Sequence, residues 1–403
     1  MQKLMRTLWY SLILVMTFFA SGIALSAEPI SQVEPVTIGT DEVTEEEIVN
    51  YGVNLFDWES IDALQKELSA AMPEDIHFDL KSEMQKIIKG EQGLNINTIL
   101  NFILNALFSE MGTFIQLGAR FVLIVLLCNL LQTLSSAFKS KNTSKIAFFV
   151  CYMAILLSVV QSFRVMIELA ILVIDQMSKV MLVCIPILLA FMATSGFNLS
   201  AGAMAPVILS TLNLMTYLIK VIVLPCIISI IVLEVVSAMS EEFKVDKLIG
   251  LFYKGIKWGL RSILGLSVAI LGLYRLTMPG VDMTLKQATV KFSSAFIPVV
   301  GSAVGGTIEF IAKCSVLLKN SFAGGVILWI VILLSIPMIK IFAYVCVYQV
   351  AGAVIEPIGD KKMAKIATKL GKGCQFIMSS VGIIALFCIC ALAICMTITA
   401  SGV

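Results

Sequence analysis

Long apolar runs fill most of this chain, and clusters of lysine break them up at intervals. The runs cover about Phe114–Leu134, Ile146–Phe163, Val180–Phe197, Pro206–Ser237, Ser262–Thr277, Phe322–Val354 and Gln375–Thr399. Most approach or exceed the ~20 residues that carry an α-helix across a bilayer. One more stretch, Lys291–Gly325, is apolar enough to enter lipid but contains Pro298, Gly301, Gly305 and Gly306. Proline removes a backbone donor and glycine weakens a helix, so an unbroken span is poorly encoded there. Broken backbone survives at membrane depth only inside protein or beside a cavity. The pattern predicts a kinked or re-entrant segment, with a small-residue helix packed on its neighbours as the competing structure.

A direct repeat is visible in the prolines. Pro186 and Pro298 are 112 residues apart, as are Pro225 and Pro337, and a lysine-rich segment and a further apolar run come after each pair. Repeated halves are common in polytopic membrane proteins. The repeat units run over about 180–277 and 292–399 within a membrane domain of 113–403.

The N-terminal quarter reads differently. Residues 1–27 place Lys3 and Arg6 before an apolar run and end on Ala24-Leu25-Ser26-Ala27, the make-up of a signal peptide. An uncleaved anchor is the alternative, and either one exports the segment after it. Residues 28–93 form a polar head. Thr44 with Glu47 gives the capping box of one short helix, and two more are predicted, Asp57–Met72 with Ile61, Leu64 and Leu68 on one face, and Asp79–Lys89 with Leu80, Met84, Ile87 and Ile88. So small a head buries little surface and must lean on the membrane part or on a partner. Residues 94–112 carry Ile99, Leu100, Ile103 and Leu107 on one side, as a helix lying at the membrane surface would.

Lysine sets the topology. Lys139, Lys141 and Lys145 form a first cluster; Lys244, Lys247, Lys254, Lys257 and Arg261 form a second; Lys361, Lys362, Lys365, Lys369 and Lys372 form a third. Positive loops stay on the cytoplasmic side. Three apolar runs separate each cluster from the next, and three full crossings would put the middle cluster outside. All three clusters fall inside if the Pro186 and Pro298 runs enter and leave from the outer face. The fold class is then an all-α polytopic membrane protein with about six transmembrane helices and two re-entrant segments, behind a small helical exported head. Eight crossings with one basic loop outside is the other arrangement.

Composition sharpens this picture. The chain is 59% hydrophobic and 14% charged, with a formal net charge of +2 that hides a strong division. Residues 28–93 hold sixteen acidic residues against four lysines, and the remaining acidic residues and most of the bases lie beyond. An acidic head ahead of a basic, apolar body suggests two compartments, and nucleic acid is not an expected partner. All ten cysteines lie between Cys128 and Cys395 in or beside apolar runs, far from the single histidine, His77, so no metal site is expected.

Ionisable residues at membrane depth are costly and mark functional candidates. These are Glu168, Asp175, Lys220, Glu234, Arg275, Glu309, Lys313 and Lys340. Glu309 and Lys313 stand i, i+4 and can pair if helical. The candidate structural or pore positions are therefore Pro186, Pro298, Gly301, Gly305, Gly306, Glu309, Lys313 and Lys340. No nucleotide-binding glycine loop, nucleophile elbow or zinc-protease motif is present, so neither an enzyme nor a cofactor is expected.

The stretch SSAFIPVVGSAVGGTIEFIAKCSVLLKNSFAGG, together with EPIGDKKMAKIATKLG further on, resembles the stage III sporulation protein AE family of endospore-forming bacteria. The resemblance covers nearly the whole chain, and FIPVVG with LLKN is its most specific part. It implies a structural or pore component of the transenvelope channel between mother cell and forespore, needed after engulfment. It also implies a place in the mother-cell-derived outer forespore membrane, with the exported head in the intermembrane space. The implied partners are other stage III operon proteins, among them a secretion-type ATPase and ring-forming membrane proteins, and a forespore membrane protein. It supplies no catalytic residues. A stand-alone secondary transporter is the alternative, since repeated halves and broken helices suit it equally.

Overall fold

The computed structural model describes residues 58–69, 79–88, parts of 105–133, and 141–239, 245–296, 301–358 and 361–400. The signal segment 1–27, the head before residue 58 and most of the interfacial stretch 94–112 lie outside the described residues. Among the described residues every regular element is helical. The head contributes α1 (Trp58–Ser69) and α2 (Leu80–Ile88). A shorter apolar helix, α3, spans Phe114–Leu130. Then come α4 (Lys141–Thr194), α5 (Asn198–Leu218), a π-helical turn (Ile219–Val223), α6 (Leu224–Met239), α7 (Asp246–Phe296), α8 (Gly301–Ile358) and α9 (Lys361–Ala400). The apolar stretches give five helices long enough to cross a membrane.

These helices are far longer than one crossing requires. At 1.5 Å per residue α4 is about 80 Å long and α9 about 60 Å, against a hydrocarbon core of about 30 Å. This length corrects the expected break at Pro186, because α4 runs through that residue to Thr194. The crossing predicted over Ile146–Phe163 and the dip predicted over Val180–Phe197 are one helix. Pro186 lies on the exposed face of α4, where the one lost backbone hydrogen bond is tolerated. The second interruption is placed differently. Helix α7 ends at Phe296 and α8 starts at Gly301, so Gly301, Gly305 and Gly306 belong to the first turns of a helix. Pro298 lies outside the described residues. Of the prolines at the 112-residue spacing, Pro186, Pro225 and Pro337 all lie within helices.

Helix α5, the π turn and α6 run on as one helix, and the long helices otherwise reverse direction in turn. The α4–α5 turn is closed by Gly196 at φ 93°, a left-handed conformation that glycine adopts without cost. The Gly196 N–H donates to the carbonyl of Ala193 and the Phe197 N–H to that of Met192, the Schellman pattern, with Phe197 buried behind it. Pro225 explains the π turn. It cannot donate to the carbonyl four residues back, and Leu224 instead donates to Ile219, five residues back. Helix α3 lies alongside α8, with Gly118 against Val347 and the Phe121 ring edge-on to Tyr348 at 5.2 Å. The start of α4, the α6–α7 junction and the start of α9 therefore meet at one end of the bundle. The described lysines of all three clusters gather there, as the charge pattern requires, with long helices doing what re-entrant dips were expected to do.

The last helix is the centre of the bundle. Helix α9 touches α4, α5, α6, α7 and α8. Leu370, Cys374, Ile377, Val381, Ile384, Cys388, Ala391 and Cys395 are all fully buried, and they recur in alternating steps of four and three. This spacing repeats every 3.5 residues, the seam of a packed helix. Small residues let the neighbours approach closely. A Cβ on Gly373 would come within 2.6 Å of Ile231 and 3.0 Å of Phe163, and one on Gly352 within 2.9 Å of Thr368. The head docks on the opposite end from the lysines. Leu80 and Met84 of α2 are fully buried, the Leu80 side chain lies over Gly325 of α8, and Glu67 of α1 pairs with Lys179 of α4. The predicted apolar faces of both head helices thus find their partner in the membrane domain itself.

Placement of the lysine clusters is testable in a cysteine-free version carrying single cysteines. Leu199→Cys and Thr284→Cys should react with an impermeant thiol reagent from the exported side, and Lys254→Cys and Lys365→Cys only after the cytoplasmic side is opened. Reaction of Lys254→Cys from the exported side would break the arrangement.

Candidate functional site

Polar groups enter the apolar bundle at three levels, and each is tied across helices. At the head end, Lys319 of α8 is fully buried and donates to the main-chain carbonyls of Cys395 at 2.7 Å and Met396 at 3.2 Å. The last carbonyls of a helix lack intrahelical donors and carry the negative end of its dipole. A lysine there caps α9 from another helix. Asp282 of α7 does the converse for α5. Its carboxylate accepts from the Leu199 N–H at 3.1 Å and the Ser200 N–H at 2.9 Å, filling the positive N-terminus of α5.

Midway, Asp175 of α4 pairs with Lys220 in the π turn. The π turn widens the helix at Lys220, so the irregular backbone and the charge within an apolar helix coincide. Nearby on α4, Arg164 and Glu168 pair at 2.8 Å one helical turn apart on the exposed face.

The third level is a cleft of about 670 Å³ at the lysine-rich end, between α6, α7 and α9. Glu234 of α6, only 2% exposed, receives Lys369 of α9, and Asp246 at the start of α7 lies 3.6 Å from the same lysine. Lys254 and Lys257 of α7 and Lys365 and Lys372 of α9 line the rest of its polar wall. Tyr253 and Phe376 close its apolar side with ring centroids 5.7 Å apart. Removing one member of a buried ion pair strands its partner at a cost of about 3–5 kcal/mol, so Glu234 and Lys369 act as a unit.

Of the residues singled out from the sequence, Asp175 and Lys220 are brought together, across α4 and the π turn. Pro186 faces outward on α4. Pro298 and the side chains of Gly301, Gly305, Gly306, Glu309 and Lys313 lie outside the described residues. The i, i+4 spacing of Glu309 and Lys313 does fall on helical backbone. Lys340 is half-buried in α8. Lys220 pairs with Asp175 and Glu234 with Lys369, 45 and 135 residues apart, which local spacing could not reveal. Lys319 and Asp282 were missed. Their partners are 76 to 83 residues away, and the only local signal was a charge inside an apolar helix.

The end-capping role of Lys319 predicts that Lys319→Met lowers the thermal midpoint of the purified chain more than Lys340→Met does. The loss should correspond to about 1.5–3 kcal/mol, the usual value of hydrogen bonds to a charged group. Equal midpoints for Lys319→Met and the parent chain would remove that role.

Comparison with known sequences gives a consistent answer. The model of the family "Stage III sporulation protein AE" matches residues 78–399. The stage III sporulation protein AE of Bacillus subtilis (strain 168) is 30% identical over 322 residues, covering 79% of this chain and 79% of that protein. No solved structure matches. The match takes in α2 and the whole bundle from α3 to the end of α9, including the cleft and both helix-end ties. The chain belongs to the stage III sporulation protein AE family.

Proposed function

We propose that this chain is a membrane-embedded structural component of the channel apparatus joining mother cell and forespore, without catalysis of its own. The match to a sporulation family across residues 78–399 carries the reading. The packing supports a structural role. The middle of the bundle is filled by α9, and Trp329, Phe163 and Phe387 are among its fully buried side chains. A body packed in this way serves as a scaffold, and any conduit would run between it and other subunits. The docked helices α1 and α2 present a small polar element on the face away from the lysines, where exported partners from the same sporulation programme would meet it. On this reading the head lies in the space between the two forespore membranes and the lysine-rich end in the mother cell.

A stand-alone transporter is not favoured, because the family match is to a sporulation protein. The scaffold reading has a direct test in a sporulating host that carries this protein. Deletion of the gene should let engulfment finish and then stop forespore development, with heat-resistant spores lost and restored by the wild-type copy. Normal spore yield in the deletion strain would overturn the assignment.

A further inference from the structure

We propose that the cleft between α6, α7 and α9 is a binding site for a phosphate-bearing anion, filled by the headgroup of an anionic phospholipid of the leaflet at the lysine-rich end. The charge balance is the first ground. Among the described residues five lysines face the cleft against two carboxylates, and both carboxylates are engaged by Lys369. Lys254, Lys257, Lys365 and Lys372 have no carboxylate within ion-pair distance among the described residues. Lys254 and Lys257 are one turn apart on α7, and Lys365 and Lys372 are two turns apart on α9, so two helices turn their positive faces toward one cavity. Like charges gathered over low-dielectric walls repel one another and focus a positive potential, and a bound anion relieves both effects.

The cavity suits that anion. About 670 Å³ lies within the range of small-molecule sites, and the Tyr253 hydroxyl is buried in its wall with no hydrogen-bond partner among the described residues. A phosphate oxygen is an acceptor for that hydroxyl and for the lysine ammonium groups.

The surroundings select a lipid. Leu251 is 66% exposed and Trp258 74% exposed on α7, beside the lysines that enter the cleft. Tryptophan at such a position anchors at the headgroup level, and the adjoining apolar surface is where acyl chains would lie. The positive-inside rule assigns this end to the cytoplasmic leaflet, and basic pockets between membrane helices on that side hold anionic headgroups. The cleft alone supports such a site, whatever the sporulation role of the chain.

The test uses the full chain purified in a neutral detergent, with the thermal midpoint read after adding phosphatidylglycerol, cardiolipin, phosphatidylcholine or inorganic phosphate. Phosphatidylglycerol and cardiolipin should raise the midpoint by roughly 5 °C at saturation, and phosphatidylcholine should not. The combined variant Lys254→Gln, Lys257→Gln, Lys365→Gln and Lys372→Gln should lose most of that shift. The matching Lys→Arg variant should keep it, and removing four charges elsewhere, at Lys66, Arg120, Arg164 and Arg275, should leave it intact. Should the fourfold variant fail to fold, the exposed pair Lys254→Gln with Lys257→Gln should still halve the shift. A full shift from inorganic phosphate, with nothing added by lipid, would support the anion site and assign its source to soluble phosphate. The proposal is overturned if phosphatidylcholine acts like phosphatidylglycerol, if the glutamine variants respond like the parent, or if the distant-charge variant loses as much.

Discussion

Close packing of five helices around α9 is the constraint on which the rest of this structure depends. Lipid tails are as apolar as leucine, so association inside a bilayer gains little from the hydrophobic effect and relies on contact at short range. Gly352, Gly371 and Gly373 sit where a single added carbon would meet a neighbour at 3.1 Å or less. Polar ties then fix α9 near both ends. Lys369, close to its start, reaches Glu234, and the carbonyls of Cys395 and Met396, close to its finish, receive Lys319. A helix pinned at two levels cannot slide by a turn without stranding a buried charge. Alternating helix direction, the shared end for the lysines and the docking platform for the head all depend on that register.

Helix length connects this packing to function. Elements of about 60–85 Å exceed the hydrocarbon thickness of about 30 Å two- to threefold, so the bundle has room for a folded portion beyond the bilayer. Helices α1 and α2 attach along that portion, through Leu80 over Gly325 and Glu67 on Lys179. The lysine-rich end and the docked helices thus lie at opposite ends of one helical bundle. Helix α7 is the exception. It carries much of the exposed apolar surface, from Leu248 to Val281, and stands at the edge of the bundle.

Much of this was legible in the sequence. Apolar runs and lysine clusters specify a helical membrane protein with its basic segments at one end, because both signals are local and arise from the cost of burying charge in lipid. The two head helices were legible for the same reason, and their structural limits, Trp58–Ser69 and Leu80–Ile88, lie within a few residues of those expected. What failed was the reading of Pro186 as a break. Proline disfavours helix by about 3 kcal/mol, yet in lipid the alternative is a run of unpaired backbone groups, and the continuous helix wins. The identity of the central helix was also hidden. Residues facing lipid and residues facing protein are equally apolar, so Leu273, exposed on α7, and Ile377, fully buried on α9, look alike along the chain. Lys319 and Asp282 escaped because a helix end and the side chain that caps it can come from distant segments.

Labelling from the lipid side tests the central claim most directly. A phospholipid bearing a photoactivatable carbene precursor in its acyl chain marks side chains that touch lipid, and peptide mapping locates the marks. With the chain reconstituted in bilayers, the marks should fall on exposed residues of the outer helices, such as Leu172 of α4, Leu214 of α5 and Leu266 and Leu273 of α7. Residues 373–398 of α9 should stay unmarked. Marks along α9 as dense as those along α7 would show that the last helix faces lipid and would contradict the account.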